Sequence, residues 1–65
     1  MQGNETTLIK RPWMDVHEVA ELLGCSTSKA YKIIALLNKE LKAGGYIYIH
    51  GKISRKYLLE MVYGE

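Results

Sequence analysis

The chain has 65 residues, of which 48% are apolar and 25% charged, and its net charge at neutral pH is +2. A chain of this length forms one small domain that buries only about 60% of the surface its unfolded form exposes, which disfavours an enzyme with its own deep pocket. The single cysteine, Cys25, excludes an internal disulfide, and neither metal-ligand spacing nor an apolar run of membrane-spanning length is present.

Residues 1–7 are polar and lack periodicity, and we expect residues 1–11 to form a flexible N-terminal arm. Within it, Leu8–Lys10 is compatible with a short strand. Pro12 follows, and residues 12–65 are assigned to the folded domain.

The first helix is predicted over residues 15–23. Asp15 suits an N-cap, and Glu18 stands three residues later, as a capping box requires. Gly24 suits a left-handed C-cap. The apolar residues follow helical spacing and define one face: Val16, Val19, Ala20 and Leu23.

The second helix is predicted over residues 26–43, with Ser26 as its N-cap and Gly44 and Gly45 at its end. Leu36 lies off the apolar stripe, which indicates packing beneath a neighbouring element or contact with a second copy. The stripe itself consists of Ala30, Ile33, Ile34, Leu37 and Leu41.

A β-hairpin is predicted over residues 46–53, because Tyr46–Ile49 is aromatic and β-branched and His50–Gly51 suits a two-residue turn. Its shared apolar face is expected to hold Ile47, Ile49 and Ile53. Ser54 then caps a last helix over residues 55–63. The apolar side of that helix is Tyr57, Leu58, Met61 and Val62.

Positive charge is concentrated in the middle of the chain. Residues 26–56 carry seven lysines and arginines against Glu40 alone, a balance of +6, whereas residues 1–25 and 57–65 each carry −2. Such a block is typical of a protein that binds a polyanion. The alternative is a solvated basic surface without a partner.

Two helices joined by a short turn with Gly24, followed by a hairpin with a basic tip, are the pattern of a winged helix-turn-helix, an α+β and mostly α-helical fold. The segment Trp13–Ile34 resembles the excisionases, small winged-helix proteins related in fold to the DNA-binding domains of mercury-resistance-type regulators. The matching positions are Trp13, Glu18, Val19, Ala20, Leu22, Leu23, Gly24, Ser26, Tyr31 and Lys32, then Gly45 to Ile49 and Arg55 to Leu58. Cys25 stands where the family often has Val or Ile, and Asn38–Gly45 is longer than in many members.

The resemblance implies a non-catalytic protein that binds double-stranded DNA, with the second helix in the major groove and the wing on the backbone or minor groove. An excisionase binds and bends DNA near an attachment site and directs an integrase to excise a mobile element. We expect several copies to bind adjacent sites on the DNA, or one copy to bind together with an integrase. We expect the protein to act in the cytoplasm and to need no cofactor. The alternatives are a transcriptional regulator at a promoter and, of another class, a protein-interaction module without DNA binding.

The candidate DNA contacts lie in three places. The second helix carries two hydroxyl residues, two lysines and a tyrosine on its first turns. The tip of the wing carries a histidine and a lysine. The last helix begins with an arginine and a lysine. Each has a structural alternative, such as helix capping, packing for the tyrosine, or a solvated cation. The candidates are Thr27, Ser28, Lys29, Tyr31, Lys32, His50, Lys52, Arg55 and Lys56.

Overall fold

The computed structural model describes residues 11–64, so the predicted strand Leu8–Lys10 lies outside the described residues. Over residues 11–64 the fold is α+β and mostly helical, as predicted, and the three helices and one two-stranded antiparallel sheet found there are compatible with a winged helix. No helix among residues 11–64 is long and apolar enough to cross a bilayer. The elements in chain order are β1 (Trp13–Asp15), α1 (Val16–Leu23), α2 (Thr27–Ala43), β2 (Lys52–Ser54) and α3 (Arg55–Tyr63).

The helix ends follow the predicted caps. Asp15 Oδ1 accepts from the Glu18 backbone N–H at 2.9 Å, and Glu18 Oε1 accepts from the Asp15 N–H at 3.1 Å, which completes the capping box. Ser26 and Ser54 cap α2 and α3 by accepting from the backbone N–H three residues later. Gly24 ends α1 with φ +68°, a conformation that glycine adopts without steric cost.

The sheet differs from the predicted hairpin over residues 46–53. β2 pairs with β1, with Trp13 opposite Ser54, and residues 46–49 are not a strand. The Tyr46 N–H donates to Leu41 O at the end of α2. The start of this segment is therefore bonded to the helix and not to a partner strand. The predicted turn does form, because the Lys52 N–H donates to Ile49 O at 3.0 Å.

The core lies where α1, α2, the sheet and the first half of α3 meet. Each large apolar side chain buried there contributes about 1.5–3 kcal/mol. The helical stripes predicted for α1 and α2 point into this core, with Val16, Leu23 and Ile33 at its margin. Its buried members are Met14, Val19, Ala20, Ala30, Ile34, Leu37, Leu41, Ile53 and Leu58.

Several apolar residues lie outside this core, against prediction. Ile53 is fully buried, but Ile47 is 81% exposed, so the predicted apolar face of the hairpin is wrong. Met61 and Val62 are exposed because α3 packs through its first turns, where Tyr57 and Leu58 lie. Leu36 is likewise exposed, so the prediction that it packs beneath a neighbouring element is also wrong.

Candidate nucleic-acid interface

The side of α2 that faces away from the core is basic. Its apolar stripe points inward, so the lysines lie on the surface around the opposite side of the helix. Within residues 11–64 none of these lysines forms an ion pair, since the ion pair found there joins Arg55 to Glu18. Their charge is therefore available to attract an anion. The exposed lysines of α2 are Lys29, Lys32, Lys39 and Lys42.

The first turns of α2 carry the predicted hydroxyl residues. Thr27 and Ser28 are exposed, as are Lys29 and Lys32. Ser26 accepts from the Lys29 backbone N–H at 3.1 Å and so satisfies one of the free N–H groups at the start of the helix. The hydroxyls of Thr27 and Ser28 are therefore not needed to cap this N–H group. This end of α2 thus presents two hydroxyls and two ammonium groups to solvent.

The turn at residues 49–52 lies beside the same half of α2. Tyr31 Oη and His50 Nε2 are 2.9 Å apart, and the two rings meet edge to face with centroids 6.0 Å apart. Gly51 occupies the turn with φ +80°, where a side chain would be strained. Two predicted site residues from distant parts of the chain therefore meet at the junction of α2 and the turn.

Asn38, which was not among the predicted site residues, also contacts the turn at this junction. Its Nδ2 donates to Ile49 O at 3.1 Å and to Lys52 O at 2.8 Å, and the residue is 6% exposed. The available signal was an amide one helical turn after Ile34, at the edge of the apolar stripe. The buried Nδ2 group finds its partners in backbone carbonyls of the turn, whereas Oδ1 is buried without a hydrogen-bond partner among the described residues.

A cleft of about 190 Å³ separates α2 from the loop of residues 46–51. Lys39 and Lys42 line it from the helix, and Tyr48 and Gly51 line it from the loop. The loop therefore runs alongside α2 over several helical turns, and the lysines in the second half of the helix border the groove between them.

Lys52 lies in β2 rather than at the tip of a long hairpin. It stands opposite Asp15 in the sheet register and is exposed. The pKa of the Asp15 carboxyl is lowered, chiefly by the hydrogen bond from the Glu18 N–H; desolvation opposes the shift, and a hydrogen bond from the His17 backbone and the charges of His17 and Lys52 lower the pKa by smaller amounts. Lys52 thus lies beside the N-cap residue of α1 in the sheet.

The two cations at the start of α3 have different surroundings. Arg55 Nη2 donates to Glu18 Oε2 at 3.2 Å, and Arg55 Nε donates to Arg11 O at 2.7 Å. Its backbone N–H also donates to Pro12 O at 2.8 Å, so Arg55 ties α3 to α1 and to the segment before β1. Lys56 is exposed and makes no ion pair within the described part of the chain.

Metal-ligating side chains do not cluster here. Among residues 11–64 no group of three or more His, Cys, Asp and Glu side chains is arranged to hold a metal ion. Cys25 is a free cysteine that is half buried against the core, where it packs as a small apolar residue. The candidate site presents hydroxyl, amide, imidazole and ammonium groups.

Comparison with known proteins identifies a relative of this chain. It is 36% identical over 47 residues to the ICEBs1 excisionase of Bacillus subtilis (strain 168), across 72% of this chain and 73% of that protein. The chain belongs to the excisionase family. No protein-family model matches the sequence, and no solved structure matches it. The predicted excisionase family is confirmed, whereas the winged-helix fold and the relation to mercury-resistance-type regulators stay predictions.

Proposed function

We propose that this member of the excisionase family is a sequence-specific, non-catalytic protein that binds double-stranded DNA. In this proposal α1, the turn of residues 24–26 and α2 form a helix-turn-helix, and the loop of residues 46–51 with β2 forms the wing. The supporting observation is the exposed side of α2, whose lysines form no ion pair within residues 11–64, with the turn at residues 49–52 held beside it. In an excisionase-family chain, the fitting polyanion is duplex DNA.

The dimensions of α2 suit the major groove. Its 17 residues span about 25 Å at a rise of about 1.5 Å each, and the groove, about 12 Å wide, admits one helix. Ser28 and Lys32 are assigned to base edges or phosphates, and Thr27 and Lys29 to the flanking backbone. Tyr31 is placed at the groove edge, where its hydroxyl is shared with His50.

The remaining candidates lie on either side of this helix. His50 and Lys52 are assigned to the backbone or minor groove next to the site that α2 occupies. Lys56 is the better candidate for a phosphate contact at the start of α3, because Arg55 is already bound to Glu18 and to the Arg11 carbonyl. Arg55 serves chiefly to fix the position of α3.

The biological role that we propose is that of a recombination directionality factor. It binds near an attachment site, bends the DNA and helps an integrase to excise a mobile element. Bending costs on the order of 1–6 kcal/mol, and one small domain has few contacts to offset it. We therefore propose that several copies bind adjacent sites or that an integrase shares the bent complex.

A gel-shift experiment tests this role. The purified chain is titrated against the flanks of its own gene and any nearby integration site, with scrambled competitor duplex. A ladder of specific, cooperative complexes near the integration site is expected, and a single 1:1 complex with straight DNA contradicts the bending role. Binding at a promoter alone indicates a transcriptional regulator instead. No binding at low salt contradicts DNA binding and favours a protein partner.

Substitution of Lys32 tests the placement of α2. Lys32→Ala should weaken specific binding by about 1–3 kcal/mol if the side chain contacts a base. Lys32→Arg keeps the charge and is the matched control for a phosphate contact, which it should largely retain. Unchanged affinity in Lys32→Ala removes this residue from the interface.

A further inference from the structure

The turn at residues 49–52 is held against α2 by side chains rather than by a strand ladder. Within the described residues, β2 pairs with β1 alone, and residues 46–49 form no strand. The polar contacts between α2 and the turn are those of Asn38 with two carbonyls and of Tyr31 with His50. The two Asn38 hydrogen bonds are partly buried and come from a side chain that is 6% exposed, whereas the Tyr31–His50 hydrogen bond is exposed, so water competes least for the Asn38 contact.

The Asn38 contact depends on the N–H donors of its amide and not on the amide oxygen, which is buried without a hydrogen-bond partner among residues 11–64. Its Nδ2 group has two N–H donors, and both bind carbonyls, one at each end of the turn. Ile49 O also accepts from the Lys52 N–H, so the same carbonyl closes the turn and binds α2. A carboxylate at position 38 would place acceptors against acceptors, and an aliphatic side chain would leave both carbonyls without this donor.

We infer that Asn38 is a positioning residue for DNA binding. It fixes the turn that carries His50 and Lys52 next to α2, so that the turn and the helix can contact the same duplex. The inference rests on the proposed function and adds a residue that contacts no DNA itself. It acts through the backbone of the turn. Loss of the Asn38 amide should therefore remove the contribution of the turn and spare that of α2.

A double-mutant cycle tests this role. A turn variant with His50→Ala and Lys52→Ala is compared with Asn38→Ala and with the combination of all three changes. Binding is measured by fluorescence anisotropy on the duplex that gives the gel-shift complexes. The turn variant should lose roughly tenfold or more in affinity, as expected when a hydrogen bond to a charged group is removed. In the Asn38→Ala background the same change should cost little more.

The salt dependence separates positioning from a general loss of structure. Asn38→Ala changes no charge, yet the slope of log K against log salt should become shallower by about 1, because the Lys52 contact to phosphate is lost. Tyr57→Phe is the matched control, since it removes a 3.0 Å hydrogen bond between Tyr57 and Glu40 of α2 away from the turn. The Tyr57→Phe variant should keep the wild-type slope of log K against log salt. Adding the turn substitutions to it should cost as much DNA affinity as adding them to the wild type.

Three outcomes overturn the role of Asn38. They are multiplicative losses in the cycle, an unchanged salt slope in Asn38→Ala, and a turn variant that binds as tightly as the wild type. The last leaves DNA binding by α2 intact, whereas a wild-type chain that binds no duplex overturns the proposed function as well. If Asn38→Ala loses its helical circular dichroism signal, Asn38→Leu replaces it in the cycle, because the leucine fills the same space without donors.

Discussion

The helix pair α1–α2 and the loop of residues 46–51 are held in place by different kinds of interaction. The pair has capped N-termini, a glycine C-cap and a shared apolar core. The loop has exposed apolar side chains from Tyr46 to Ile49, and its turn is bound to α2 by the side chains of Asn38 and Tyr31. The pair is thus fixed by burial and local caps, and the position of the loop depends on a few polar contacts.

The largest expected effect contrasts an isoleucine from each region. Ile34→Ala opens a cavity in the core and should cost about 2–5 kcal/mol, comparable to the roughly 3–5 kcal/mol that a domain of this size can have. Ile47→Ala, at an exposed position of the loop, should stay within about 0.5 kcal/mol. Urea unfolding followed by circular dichroism measures both. Equal losses would contradict the division into two regions.

Two glycines sharpen the comparison at the level of the backbone. Gly24 and Gly51 both have positive φ, and a Cβ atom at either position would meet open space, so alanine adds backbone strain alone. Gly24→Ala should cost about 1 kcal/mol and lower Tm by roughly 4–8 °C. Gly51→Ala should change Tm less and weaken DNA binding more, because the turn can detach without opening the core. The reverse ranking in thermal melts and gel shifts would contradict this.

A smaller effect is expected at the exposed contact between the regions. Tyr31→Phe removes the hydroxyl that meets His50 and should change the free energy of unfolding by less than about 0.5 kcal/mol. We expect the turn to become more mobile, with raised amide exchange at His50 and Gly51 and a modest loss of DNA affinity. Hydrogen exchange measured by NMR compares these amides with those of α1, which should not change. Equal increases in amide exchange in the turn and in α1 would show that the turn does not move independently of the helix pair.

The smallest effect is a pH dependence confined to the helix pair. The pKa of Asp15 is lowered in the folded chain, chiefly by the Glu18 N–H, so its charged form is favoured by folding. The stabilisation is present above the unfolded pKa, near the usual aspartate value, and is lost as pH falls through the lower folded pKa. Asp15→Asn keeps a cap without this titration. Wild-type stability should fall more steeply in acid than that of Asp15→Asn, and parallel curves would contradict the role of the carboxylate.

The same contrast explains which features the sequence could predict. Asp15, Ser26 and Ser54 cap their helices through neighbours three residues away, and Gly24 ends α1 locally, so short-range patterns were sufficient. The hairpin failed because β-propensity at Tyr46–Ile49 does not specify a pairing partner, and β2 instead pairs with a strand from the start of the domain.

The candidate site divides in the same way. The basic exposed side of α2 followed from helical periodicity, because Lys29 and Lys32 lie off the apolar stripe. The pairing of Arg55 with Glu18 and the link from Asn38 to the turn join residues far apart in sequence. Only the tertiary fold brings them together, so residue type and local spacing could not reveal which cation is bound internally.

The salt dependence of DNA binding by the wild-type chain tests the central claim most directly. Anisotropy titrations on the gel-shift duplex and on a scrambled duplex are repeated across a salt series. If the basic side of α2 and the turn neutralise about four or five phosphates, log K should fall with log salt at a slope near −4, with tighter binding to the specific duplex. A slope near zero, or no binding at low salt, would contradict a DNA-binding role for this face.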